Sequence, residues 1–154
     1  MAKGNPRVVP QGAGKTFNVL GDSIRCVLTG ADTGGAYAIL EQASDPGSGP
    51  PLHMHRREEE AFYVLEGDYE FRMGDQVVRA TPGTYLFAPR EIPHGFKCVG
   101  AEPGRVQVTI TPAGFETFFV DVSALAAQGP PDLEKVVALA RDYGLDILGP
   151  PPVA

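Results

Sequence analysis

Glycine and proline cut this chain into short apolar runs, and that punctuation confines most of it to short strands. Glycine (19) and proline (15) account for about a fifth of the 154 residues, against roughly 12% in an average chain. They form no low-complexity block; they recur between the runs, which is the pattern of strands joined by turns. The runs are "KTFNVL" (Lys15–Leu20), "SIRCVLT" (Ser23–Thr29), "AYAILEQA" (Ala36–Ala43), "EAFYVLE" (Glu60–Glu66), "YEFRM" (Tyr69–Met73) and "QVVRA" (Gln76–Ala80). After them come "TYLFAP" (Thr84–Pro89), "HGFKCV" (His94–Val99), "RVQVTIT" (Arg105–Thr111) and "FETFFVDV" (Phe115–Val122). Most are rich in β-branched or aromatic residues. An all-β sandwich or barrel is the expected fold.

The tail changes period. In "PPDLEKVVALARDYGLDILGPP", Leu133, Val136, Val137 and Ala140 recur at helical spacing. Asp132 can cap the start of that helix and Gly144 can end it. One domain, residues 1–154, is expected, with a barrel core over about 15–122 and a helical tail over about 123–154. The segment "GAGKT" (Gly12–Thr16) ends like a phosphate-binding loop. That motif needs a glycine where this chain has Val9, and a following helix where "FNVLGD" reads as strand.

Charge narrows the partners. Thirteen Lys plus Arg against 19 Asp plus Glu give a net charge of −6 and a pI near 5.0. Nucleic acids and membrane surfaces both select clustered positive charge, so neither is expected. No apolar run reaches the ~20 residues that span a bilayer, and "MAKGNPRVVPQGAGK" lacks the apolar core of a secretory signal. A cytoplasmic location is expected. Cys26 and Cys98 do not suggest a disulfide.

The three histidines carry the chemistry. His53 and His55 stand in "PPLHMHRREEEAFYVLEG". Residues two apart on a strand share a face, so both imidazoles aim into one space while Met54 turns away. Two neutral imidazoles so placed suit a divalent transition metal. Three glutamates follow. A turn at Arg56–Glu59 would bring Glu60 beside the histidines at the start of the next strand, with Glu58 and Glu59 as rivals. Glu59 must face opposite to Glu60, so only one of that pair can reach the metal; at least two of the three glutamates are expected at the surface. His94, in "GTYLFAPREIPHGFKC", completes a set of three histidines and one carboxylate, akin to the facial triads that leave open positions on iron. Cys98 lies on the same face as His94 but roughly 13 Å further along, too far to share an ion, and reads as a small buried thiol.

These residues resemble the two motifs of the cupins. The first runs H-x-H, a glutamate after three or four residues, then a glycine seven positions on. His53, His55, Glu60 and Gly67 fit it, and the step to Gly67 selects Glu60 over Glu59; the lead-in glycine is Gly47 or Gly49. The second runs through a glycine, P-x-G-x-x-H and a later asparagine. Gly83, Pro89 and His94 match it, while Glu91 stands where glycine is usual and Cys98 where asparagine is usual. The resemblance implies a double-stranded β-helix, or jelly-roll, barrel with the tail helix added. It implies a divalent metal (Fe, Mn, Ni or Zn) on His53, His55, Glu60 and His94, and a homodimer.

Cupins include dioxygenases of the quercetinase type, isomerases, decarboxylases, polyketide cyclases and binding proteins. A metal-dependent dioxygenase acting on a small aromatic or enediol-like substrate is the first expectation, with Glu60 doubling as general base. A non-redox cyclase, isomerase or small-molecule binder is the alternative. Phe62 shares the face of Glu60 and Phe96 that of His94; with Phe71 and Phe87 they are the candidate pocket walls.

Overall fold

A computed structural model describes residues 4–130 and 132–150. The strands are β1 (Lys15–Val19), β2 (Asp22–Leu28), β3 (Ala38–Ser44), β4 (His53–His55), β5 (Glu59–Glu66) and β6 (Tyr69–Met73). They continue as β7 (Gln76–Ala80), β8 (Tyr85–Ala88), β9 (His94–Cys98), β10 (Gly104–Thr111) and β11 (Leu145–Ile147). Three helices are present among the described residues: the single turn α1 (Gly30–Thr33), α2 (Thr117–Ala126) and α3 (Leu133–Asp142). One sheet runs β1-β2-β3-β10-β5-β8 and the other β11-β4-β9-β6-β7. Every strand pair is antiparallel, and the sequence-distant pairings β3–β10, β5–β10 and β4–β9 wrap the chain into a jelly roll.

The core lies between the sheets, and strict alternation builds it. On β10, Val106, Val108 and Ile110 are buried while Arg105, Gln107 and Thr109 face out. Across the other sheet Tyr69, Phe71, Phe96 and Cys98 fill the same space. Cys98 is the small buried thiol expected of it, and neither cysteine is in a disulfide. Lys15–Val19 is a strand, as the rejection of a phosphate-binding loop requires. Its hairpin to β2 turns on Leu20 and Gly21, both at positive φ (50° and 92°). A leucine in that conformation is unusual, and the residue lines the interior cavity.

The tail helix forms as its periodicity predicts. Asp132 accepts a hydrogen bond from the Glu134 amide at 3.0 Å, and Gly144 (φ 73°) follows the last turn. Val136 and Ala140 are buried, whereas Leu133 at the first turn is 54% exposed.

Two expectations fail here. Phe115–Val122 is no strand: after Thr111 the chain leaves the sheet and enters α2, which packs on β1 and α3. Phe115, Phe118, Phe119 and Val122 recur at i, i+3, i+4 and i+7, a helical stripe that aromatic and β-branched composition disguised as strand. The tail also contributes more than a helix. Leu145–Ile147 pairs antiparallel with His53–His55, so β11 becomes the edge of the second sheet.

Candidate metal centre

Four side chains meet between the sheets. β4 points His53 and His55 inward and Met54 outward, as its burial alternation requires. Pro50 and Pro51 lead into this strand, and a bend at Arg56–Arg57 turns the chain back so that Glu60 enters on β5. β9 sets His94 directly across from His53. The four groups thus arrive from both sheets.

Their ligand atoms converge. Glu60 Oε2 lies 2.6 Å from His94 Nε2, 3.3 Å from His55 Nε2 and 3.9 Å from His53 Nε2. All four candidate ligand atoms fall within 4.8 Å of one another. Metal–nitrogen bonds of about 2.1 Å place neighbouring ligand atoms roughly 3 Å apart, so small shifts suffice to enclose one cation. The far side of each ring supports that orientation. His53 Nδ1 is 2.7 Å from the Pro51 carbonyl oxygen and His94 Nδ1 is 2.9 Å from that of Ile92. A carbonyl only accepts, so each Nδ1 carries the proton and each Nε2 keeps its lone pair for the metal.

His55 uses a carboxylate instead. Its Nδ1 is 3.4 Å from Glu58 Oε1, and neither buried atom has a hydrogen-bond partner of its own. Glu58 is therefore not the surface charge expected of it, being 7% exposed. Glu59 does face away from Glu60 and pairs across to Thr111. Glu58→Ala should leave all four ligands in place yet weaken metal binding about 10- to 100-fold, the usual effect of losing a carboxylate behind a ligating histidine. Competition titration against a chelator measures it.

Residues 40–111 match the family model described as the cupin domain. That stretch is a cupin domain. The chain is 28% identical over 115 residues to the quercetin 2,3-dioxygenase of Bacillus subtilis (strain 168), a match covering 74% of this chain and 34% of that relative. The chain thus spans about a third of the relative's length. Among solved structures it resembles the polyketide cyclase RemF from Streptomyces resistomycificus (24% identity, TM-score 0.62), over 70% of this chain and 80% of that one. It also resembles a predicted oxalate decarboxylase from Thermotoga maritima (22% identity, TM-score 0.62), over 69% of this chain and 99% of that one.

One departure from the cupin motif has a visible physical consequence. Glu91, where glycine is usual, sits at φ 63° and donates its amide to the His55 carbonyl at 2.8 Å. A left-handed residue is needed to make that bond between the two motifs, which is why glycine suits the position.

A cavity of about 90 Å³ opens beside the cluster, room for several waters. His53, His55 and Glu60 line it, with Phe62 and Phe96 as aromatic walls. The other two expected walls are elsewhere. Phe71 is fully buried behind Phe96, stacked at 4.7 Å between centroids. Phe87 is on the outer face and 58% exposed, because on β8 it is Leu86 and Ala88 that turn inward. Their place is taken by Phe115, Phe118 and Phe119 of α2 and its approach, and Phe115 lies edge-on to His55 at 4.5 Å.

Burial disfavours charge throughout the cluster, and the neighbours decide each group. On His55 the carboxylates of Glu60 and Glu58 outweigh burial and push the pKa up to about 9. Burial would raise Glu60, but the charge on His55 and the hydrogen bond from its ring hold it well below the usual carboxylate range. On His53 burial prevails and the pKa falls. Without metal, the cluster at neutral pH is therefore an imidazolium–carboxylate pair.

A cation must displace the His55 proton, so apparent metal affinity should rise about tenfold per pH unit from pH ~6.5 to about 9, then level off. The metal-free protein should respond oppositely. A raised pKa stabilises fully below the unfolded value near 6.5, and that contribution is lost as pH rises through about 9. Melting curves with and without chelator across this window should therefore diverge.

Proposed function

We propose that this cupin is a metal-dependent dioxygenase acting on a small aromatic or enediol-like molecule. The observation that carries the reading is the convergence of three imidazole Nε2 atoms and one carboxylate at the side of an apolar, aromatic-walled cavity. A divalent iron, manganese or nickel ion held there would polarise a bound hydroxyl and pass electrons between substrate and oxygen. Four protein ligands leave room for that substrate on a six-coordinate ion. Glu60 is placed to accept the proton of the bound hydroxyl. Phe62, Phe96 and Phe115 keep bulk water from the reacting atoms. Insertion of both oxygen atoms draws all its electrons from the substrate, so no reductase is required. Similarity to a quercetin 2,3-dioxygenase supports this chemistry over the other activities found among cupins.

Elemental analysis of protein purified without a metal-affinity tag, followed by oxygen-electrode assays on flavonols and other enediols, tests the reading. Oxygen uptake with iron, manganese or nickel bound, lost on metal removal, is expected. A zinc-filled protein that consumes no oxygen would select the non-redox alternative, a binder, cyclase or isomerase.

The reading includes a homodimer. Tyr85 (77% exposed) and Phe87 form an apolar outer strip with Tyr63, which stacks on Tyr85 at 4.4 Å. Light scattering that finds only monomer would refute pairing through this strip.

A further inference from the structure

The metal cavity has a second polar end. Apart from the histidines and Glu60, Asp22 and Gln42 are the charged or amide side chains among its lining residues, and no lysine or arginine lines it among the described residues. Asp22 is 2% exposed. Its Oδ2 accepts from Gln42 Nε2 at 2.6 Å and from Ser44 Oγ at 2.9 Å, and its Oδ1 accepts from Ser48 Oγ at 2.6 Å. All three donors are neutral. A carboxylate held in the interior without a cation is costly and needs a reason. Gln42 uses one amide N–H on Asp22; its carbonyl oxygen has no protein partner among the described residues.

Register places this pair away from the ligands. Glu60 sits in the cross-strand row of Ile110 and Ala38, whereas Gln42 sits in the row of Val106 and Val64. Four residues along β10 separate those rows, about 13 Å of strand. Aliphatic and aromatic side chains, including Ile24, Leu40, Phe62 and Val108, fill the wall between them. Charge follows the same division. A divalent ion with three neutral imidazoles and one carboxylate leaves a net positive charge at one end, and Asp22 puts a negative charge at the other. A second anionic group on a ligand would meet Asp22 with no cation to receive it.

We propose that Asp22 and Gln42 form a second recognition pole, selecting an uncharged substrate that carries a hydrogen-bond donor at the end remote from the metal. The inference rests on the cavity being the substrate site, as the dioxygenase reading has it. It narrows that reading to neutral, hydroxylated molecules and sets it against dicarboxylates.

The test uses the full chain loaded with iron(III), under anaerobic conditions, and follows the visible charge-transfer band that catechols produce on binding. The probes are catechols bearing an alkyl arm of increasing length, each ending in a hydroxyl, a methyl or a carboxylate. For at least one arm length the alcohol should bind about tenfold more tightly than its methyl analogue, the upper end of what one neutral hydrogen bond contributes. The carboxylate should bind more weakly than either. Gln42→Leu, which leaves both serine bonds to Asp22, should erase most of the alcohol preference without changing affinity for the methyl probe. Asp22→Asn should lift the penalty on the carboxylate; if that variant does not fold, Gln42→Leu still decides. Equal affinities across the three endings, a preference unchanged in Gln42→Leu, or no catechol binding at all would overturn the proposal. Oxygen uptake is read separately, so a protein that shows the preference yet consumes no oxygen would overturn the dioxygenase reading alone.

Discussion

His94→Ala is expected to strip the site of metal. Apparent binding energies near 10–16 kcal/mol for four-ligand zinc sites imply about 3 kcal/mol per ligand, a loss of roughly two orders of magnitude in affinity. The structure makes His94 the most consequential ligand to remove. Its Nε2 is the nearest imidazole nitrogen to Glu60 Oε2, at 2.6 Å, and its ring packs against Phe62 at 5.7 Å. Alanine would leave a buried carboxylate without its closest partner and a void beside an aromatic wall, so the metal-free protein should be destabilised as well. Glu60→Ala should empty the site comparably. Glu59→Ala should not, because residue 59 faces away from the cluster. Metal content by elemental analysis after dialysis, together with chelator competition, checks all three variants; a Glu59 variant without metal beside a Glu60 variant with metal would reverse the assignment.

Gly49→Ala is expected to cost about 3 kcal/mol of stability, as overpacking against fixed backbone does. A Cβ at residue 49 would stand 2.0 Å from the carbonyl oxygen of Phe96 and 3.0 Å from the Cα of Lys97. These are main-chain atoms of β9 and cannot swing aside. The displacement falls on the segment that leads through Pro50 and Pro51 into β4, which meets β9 at the His53–His94 pair. Metal affinity should therefore drop together with stability, although no ligand is changed. A melting temperature lower by roughly 10 °C in the presence of chelator is the expected reading for a chain of this size. An unchanged melting curve would show that the main chain at Gly49 does not approach β9 this closely.

Gly49 also illustrates what the sequence makes legible. Its neighbour Gly47, the other candidate lead-in glycine, is needed too: at φ 86° it donates its amide to the Cys98 carbonyl at 2.7 Å. Spacing alone assigns a glycine to this region but not the backbone it must approach. The same holds for the metal set. Parity on a short strand puts His53 and His55 on one face and separates Glu59 from Glu60, because those relations are local. The burial of Glu58 is not local; it follows from where the bend at Arg56–Arg57 folds against His55, and a run of three glutamates otherwise reads as solvated surface. Phe87 fails for a related reason. β8 is apolar on both faces, so alternation says that Phe87 and Leu86 oppose each other but not which one enters the core. In the helix before α3 the signal was present and outweighed, since Phe115, Phe118 and Phe119 have helical spacing but strand-like composition. Asp22 and Gln42 could not be paired from sequence at all, because only the β2–β3 register brings them together.

The pairing of β11 with β4 affects how the protein is made. The strand that carries two of the three imidazoles has β9 on one side and Leu145–Ile147 on the other, about 90 residues downstream of His55. The Arg56–Asp146 ion pair at 2.7 Å and the hydrogen bond from the Leu148 amide to the Leu52 carbonyl fasten that seam at either end. Ribosomal synthesis delivers His53, His55, Glu60 and His94 long before their lateral support emerges from the exit tunnel. A nascent chain thus holds every candidate donor atom but not the frame that fixes two of them, so tight capture of a cation is expected only once translation has passed Ile147.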